Sequence, residues 1–159
     1  YAVMQTKMRL PLTMAKLGGP PQFLAFCALY YGRFGGRGPF LAAHFLTPCA
    51  HHFNPEGRIE HFRIVAEILA WRPELKALTG DAWYYAPALA EISPHLAYVR
   101  DFPEARGARF FRGPVDTSGA ALTSARRRRL QAAGDYVPRR HTMVWTRRAL
   151  LEWAAADAG

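Results

Sequence analysis

Cysteine is scarce in this sequence of 159 residues, which contains only Cys27 and Cys49. Two cysteines are too few for the disulfide framework of a small secreted domain. No paired CxxC motif is present, so the sequence gives no support to a dithiol redox centre. This usage favours a reducing compartment, and we expect a cytoplasmic protein. The chain begins with Tyr1 and not with Met, so the sequence leaves open whether an N-terminal segment has been removed.

Long hydrophobic runs are also missing. The longest apolar run covers residues 23–31 and is too short to span a bilayer, so we expect no transmembrane segment. Its glycine-rich flank favours a buried helix over residues 22–34, with a surface helix packed on a partner as the alternative. Half of the residues are apolar and 21% are charged, which is typical of a globular domain and not of a disordered chain.

Lysine is rare as well, with 3 Lys against 18 Arg in a chain of net charge +9. The basic residues concentrate near the C-terminus, including four in a row: Arg126, Arg127, Arg128 and Arg129. Four consecutive side chains point in different directions around a helix, so a solvated face or a protein contact is our first interpretation. A bound polyanion is the alternative. We expect replacement of all four by Gln to leave the fold intact.

The remaining pattern predicts one α/β or α+β domain with a mixed sheet of about four or more strands and alternating helices. Residues 1–19 are predicted as a basic amphipathic arm, and residues 20–159 as the domain with an arginine-rich C-terminal part. The predicted strands lie at about 39–46, 77–85, 109–112 and 137–145. The predicted helices lie at about 55–71, at 88–100 with a kink or division at Pro94, from 117 or 118 to Gly134, and after Thr146.

The helix over residues 55–71 has the clearest signals. Ile59, Phe62 and Leu69 recur at helical spacing, Asn54 is placed to cap the helix, and Pro55 suits its first turn. A helix start presents N–H groups and a partial positive charge, so this one could hold a pyrophosphate.

Residues 46–99 resemble the acyl-CoA-binding half of the GNAT-type N-acyltransferases. The resemblance is carried by a strand, a Pro-x-Gly-Arg turn at residues 55–58, an amphipathic helix, a second strand, and the run at 86–89 that opens another helix. It implies an enzyme that moves an acyl group from CoA or a carrier thioester to an amine, with the donor's pantetheine between splayed strands. The implied pyrophosphate contacts are Glu56, Gly57, Arg58 and Ile59.

The same resemblance assigns catalytic roles. Tyr98 would protonate the leaving thiolate, with Tyr85 as the alternative, and His44 on the preceding strand would act as the base for the attacking amine. The sequence does not identify the acceptor or the acyl chain. It also leaves open whether the protein forms a homo-oligomer.

Two further functions compete with acyl transfer. His44, Cys49, His51, His52 and His61 fall within eighteen residues and could suit zinc or another divalent metal. They lack a familiar ligand spacing, so we expect no metal, with His51 and His52 in a turn and His61 on a helix surface. The second alternative is a non-enzymatic, arginine-rich subunit of a larger assembly, held by its basic tail and its apolar run. Motifs of serine hydrolases and nucleotide-binding loops are missing.

Overall fold

A mixed sheet of five strands forms the centre of the fold in the computed structural model, which describes residues 27–34, 37–45 and 53–157. The strands are β1 Cys27–Phe34, β2 Arg37–Phe45, β3 Ala77–Ala82, β4 Arg109–Val115 and β5 Arg139–Thr146, in the spatial order β1-β2-β3-β5-β4. Strands β2 and β3 are parallel, and the other neighbours are antiparallel. The predicted α+β class and mixed sheet are confirmed.

The helices are α1 Pro55–Trp71, α2 Leu89–Ile92, α3 Tyr98–Glu104, α4 Ala125–Ala132 and α5 Arg147–Asp157. Short 3₁₀ turns occur at Trp83–Tyr85, Pro94–Leu96 and Ala120–Leu122. The helix predicted at 88–100 is divided at Pro94, which has no N–H to continue the ladder. The strand predicted at 77–85 ends earlier, because its last three residues form the 3₁₀ turn.

The helix predicted over residues 22–34 is wrong where the structure describes it, because residues 27–34 form β1. This strand pairs with β2 from Cys27 opposite Phe45 to Phe34 opposite Arg37. A short apolar run has the same composition in a buried helix and in a buried strand. What decides here is pairing with another segment, which satisfies the backbone N–H and C=O groups. The predicted arm at 1–19 lies outside the described residues.

Helix α1 begins and ends where the sequence predicts. The side chain of Asn54 accepts a hydrogen bond from the Gly57 N–H at 2.8 Å, and Pro55 occupies the first turn. At the other end, the N–H of Arg72 donates to the carbonyl of Ile68. These caps satisfy groups that would otherwise lack partners, each worth about 1 kcal/mol.

One face of the sheet carries the core. Leu41, Leu78, Met143 and Trp145 project from neighbouring strands into one buried cluster with residues of α1, α3 and α5. The ring of Phe62 on α1 meets Trp145 edge to face with centroids 5.0 Å apart. Each large side chain buried in this way contributes roughly 1.5–3 kcal/mol. The core therefore holds α1 against β2, β3 and β5.

Candidate functional site

The parallel strands β2 and β3 stop pairing before either strand ends. Their register joins three residue pairs, the last of them Ala43 with Gly80. Beyond this point, residues 44–45 of β2 stay paired with β1, and residues 81–82 of β3 stay paired with β5. In the described backbone, the two segments thus face each other without a shared ladder. We call these two segments, residues 44–45 and 81–82, the strand divergence.

Helix α1 starts ten residues after the end of β2. Its capping residue Asn54 already accepts hydrogen bonds from two of the N–H groups at the helix start. The Gly57 N–H is bonded to the Asn54 side chain, and the Arg58 N–H to the Asn54 carbonyl at 3.0 Å. Glu56 is exposed and Ile59 is half-buried. The helix start keeps its partial positive charge. Pyrophosphate binding by these four residues stays a prediction.

The side chain of Arg58 lies in the interior, with 3% of the residue exposed. Its Nη2 donates to the Tyr85 hydroxyl at 2.7 Å, and the guanidinium carbon lies 4.6 Å from the centre of the Phe62 ring. The sequence predicted that Arg58 contacts a pyrophosphate at the helix start, whereas its guanidinium is bonded in the interior. Arg58 instead connects α1 to the segment that follows β3.

The Tyr85 hydroxyl lies against Gly80, the last residue of β3 that pairs with β2. A Cβ atom built on Gly80 would lie 2.9 Å from the Tyr85 oxygen, a distance that real Cβ atoms essentially never show. Glycine at this position therefore leaves the space that the hydroxyl fills. Tyr85 and Arg58 together form a buried link between α1 and the strand divergence.

Tyr98 lies at the start of α3, half-buried, with its ring centre 6.2 Å from that of Phe53. Its hydroxyl is enclosed and has no hydrogen-bond partner among the described residues. Burial raises the pKa of Tyr98. The positive charge of Arg58 lowers this pKa in part, and the negative charge of Glu56 raises it further. The hydroxyl therefore stays protonated at neutral pH. An enclosed hydroxyl without a hydrogen-bond partner is unfavourable, so a ligand atom that accepts a hydrogen bond from it would bind more tightly.

The close approach of Gly80 and Tyr85 predicts strong coupling between these two residues. We expect Gly80→Ala to destabilise the protein by about 1–3 kcal/mol, because the added methyl displaces the hydroxyl. We expect Tyr85→Phe to cost about 1.5–3 kcal/mol through loss of the bond from the Arg58 guanidinium. In the Tyr85→Phe background the alanine should cost clearly less, as a double-mutant cycle in urea can measure. Additive effects of the two changes would contradict the contact.

The predicted histidine cluster is mostly outside the described side chains. His44 pairs with Ala28 through its backbone in β2, but its side chain is not among those described, and Cys49, His51 and His52 lie outside the described residues. His61 was expected on a helix surface, yet it is buried in α1 because it lies on the helix face that packs on the core. Burial lowers its pKa well below 6.5, and Arg58 adds to this effect, so the imidazole is neutral.

The described residues contain no group of three or more His, Cys, Asp or Glu side chains that could hold a metal ion. In the same part of the chain, no helix is long and apolar enough to cross a membrane. A groove between α1 and α5 is lined by small apolar residues and by Arg63 and Asp157, which form an ion pair at 2.7 Å. This groove lies along the middle and end of α1, away from the helix start.

The arginine run is only partly a surface feature. Arg127 is 5% exposed; its Nε donates to the Ala121 carbonyl, its Nη1 donates to Ser93 Oγ at 2.9 Å, and its guanidinium stacks 4.6 Å from the Trp83 ring centre. Arg128 donates to two carbonyls at the end of the preceding 3₁₀ turn. These contacts argue against the expectation that all four arginines can be replaced without effect on the fold. A protein or polyanion contact stays a prediction for the exposed Arg126 and Arg129.

Several features of this site escaped the sequence pattern. Arg58 is buried because it bonds to Tyr85, which is far from it in the chain. The close approach of Tyr85 to Gly80 is likewise a contact that the sequence pattern does not indicate. The only local signal was a glycine inside a predicted strand, which often marks a close approach of another group. Comparison of the chain with family models, with curated proteins and with solved structures found no match.

Proposed function

We propose that the protein transfers an acyl group from a CoA or carrier thioester to an amine. The observation that carries this proposal is the strand divergence, where β2 and β3 stop pairing while each continues beside its outer partner. The GNAT resemblance implies a pantetheine between splayed parallel strands, and such a ligand needs this kind of opening. The pantetheine arm contains two amides, which can bond to strand edges as an added strand does.

The chemistry needs a proton donor for sulfur and a proton acceptor for the amine. The amine nitrogen attacks the thioester carbonyl carbon and forms the C–N bond, and the C–S bond then breaks with its electron pair on sulfur. Tyr98 is our candidate for the group that protonates the sulfur, because its hydroxyl is enclosed, protonated and without a partner in the described residues. His44, on the strand that borders the divergence, is the candidate base. The buried pair of Arg58 and Tyr85 holds α1 and β3 in position.

Recognition of the donor should depend more on pantetheine than on phosphates. Asn54 already occupies the Gly57 N–H, and Arg58 is turned into the core, so the helix start offers a pyrophosphate little beyond its dipole. A carrier-bound thioester, which lacks the nucleotide, fits this arrangement as well as CoA does.

Thiol release from acetyl-CoA and from S-acetylpantetheine, each with a panel of primary amines, tests the function. We expect amine-dependent release from both donors, with KM values within about tenfold of each other, or about 1.4 kcal/mol. Activity with acetyl-CoA alone would place the main donor contacts on the phosphates. Release no faster than the uncatalysed reaction with every pair would contradict the proposed function.

A further inference from the structure

A group of basic side chains surrounds one buried histidine at the end of the sheet. His141 on β5 is the register partner of Arg112 on β4, and Arg139 precedes it by two residues on the same strand. Side chains two apart on a strand, and those of register partners, lie on the same face of the sheet. Arg112, Arg139 and His141 therefore share the face that carries the helices, since His141 is buried there.

Arg100 reaches the same place from α3. Its Nη1 donates to the Tyr85 carbonyl at 2.9 Å, and its guanidinium carbon lies 4.5 Å from the ring centre of Phe110. Phe110 precedes Arg112 by two residues on β4 and so lies on the same face. Three arginines, from three different elements, thus lie on the same face of the sheet as the imidazole. We call Arg100, Arg112, Arg139 and His141 the basic cluster.

Acidic groups balance this charge only in part. Glu104 forms an ion pair with Arg100 at 2.6 Å, and Asp116 is engaged by the hydroxyl of Ser118 at 3.0 Å. Within the described part of the chain, neither Arg112 nor Arg139 makes an ion pair. Two guanidinium groups near the buried His141 thus have no acidic partner among the described residues.

His141 itself is 8% exposed. Its Nδ1 lies 3.4 Å from the Arg139 carbonyl, at the long limit of a hydrogen bond. Burial lowers the pKa of His141, and the contact with the Arg139 carbonyl raises it. The positive charges of Arg100, Arg112 and Arg139 lower this pKa further. A negative ligand charge at this place would relieve the repulsion and would favour protonation of the ring.

We infer that the basic cluster is a binding site for a small anionic group, a carboxylate or a phosphate. A planar guanidinium matches either group through paired N–H donors, which gives both strength and direction. Arg112 and Arg139 would supply these donors. His141 would close the site from the core side, and Arg100 would add charge while it stays bonded to Glu104 and Tyr85.

The position of the site suggests which reactant carries the anion. With about 3.3 Å per residue along a strand and about 4.8 Å between strands, His141 lies roughly 8 Å from Gly80 at the strand divergence. That distance is within the length of a small molecule with an amine at one end and an acidic group at the other, which would have to pass the buried side chain of Tyr85. Resting on the proposed function, the inference is that the acceptor is an acidic amine, such as an amino acid or an aminoalkyl phosphate.

Anion binding can be measured without any acyl transfer. We expect the His141 ring resonances to shift saturably when inorganic phosphate or acetate is added at constant ionic strength, and the pKa of His141 to rise in the bound state. Arg112→Gln with Arg139→Gln should weaken this binding at least tenfold. Arg109→Gln, an exposed arginine on the other face of β4, is the matched control and should leave it unchanged. The stronger of the two anions identifies the preferred group.

An absent shift with both anions, or equal affinity in the double variant, would overturn the anion site. A thermal unfolding curve of the double variant confirms that it is folded, because both side chains are at least partly exposed. The acceptor assignment is tested separately by transfer to glycine and to glycinamide. We expect at least a tenfold preference for glycine in kcat/KM, abolished in the double variant. Transfer without this preference would refute the acceptor class and leave the acyltransferase proposal intact.

Discussion

Replacing Tyr98 with phenylalanine is expected to lower kcat by about 10²–10⁴-fold while leaving the protein as stable as before. The hydroxyl has no hydrogen-bond partner among the described residues, so its removal sacrifices no bond in the free protein. Unfolding should be unchanged or slightly more difficult, because an enclosed polar group has been removed. The loss should appear only when the C–S bond breaks and sulfur needs a proton.

Tyr136 provides a matched control for this substitution. Its hydroxyl is also enclosed without a partner in the described part of the chain, but its ring packs with Ala86 and Leu89 in a second apolar cluster. We expect Tyr136→Phe to match Tyr98→Phe in its effect on stability and to keep full kcat. A Tyr98→Phe enzyme with unchanged kcat would remove the catalytic role from Tyr98, and Tyr85→Phe would then be the variant to test.

Replacing Arg127 with glutamine is expected to destabilise the protein by about 2–4 kcal/mol. The guanidinium donates to Ala121, Ser93 and Thr123 and stacks on Trp83, and a shorter amide cannot reach all of these groups. The melting temperature of a domain of this size should fall by roughly 5–15 °C.

The control for Arg127 is Arg129→Gln, which removes the same charge from the same helix. Arg129 is exposed, so this change should stay within about 0.5 kcal/mol of wild type. Equal effects of the two substitutions would mean that net charge, and not the buried contacts, controls stability. A protein or polyanion that binds the arginine run should respond to Arg129→Gln, whose fold is intact, and not only to Arg127→Gln.

Local signals in the sequence were sufficient for the parts of the fold that local chemistry decides. Helix α1 was predicted with its cap because Asn54, Pro55 and the apolar spacing act within a few residues of one another. The division at Pro94 and the left-handed end at Gly134, with φ of 85°, follow in the same way from single residues.

Features that depend on distant residues could not be predicted in this way. Strand β1 is a different case, because its partner β2 is the next segment of the chain. The two glycines between these apolar runs are typical of a hairpin, and the helix prediction did not use this signal. The roles of Arg58 and Arg127 were missed because a charged side chain is normally placed in solvent, and only the folded chain shows which polar groups satisfy it in the interior. Tyr98 was placed near the site by family resemblance, but its lack of a partner appears only in three dimensions.

Hydrogen exchange of the backbone amides at the strand divergence tests the central claim most directly. We predict that a saturating thioester donor slows exchange at residues 44–45 and 81–82, because the donor lies between these segments and bonds to their facing edges. The start of α5, where the Arg147 N–H donates to the Lys76 carbonyl at the opposite end of β3, serves as the internal reference and should not change. Bound donor with unchanged exchange at both segments, or with protection only elsewhere, would contradict donor binding between β2 and β3.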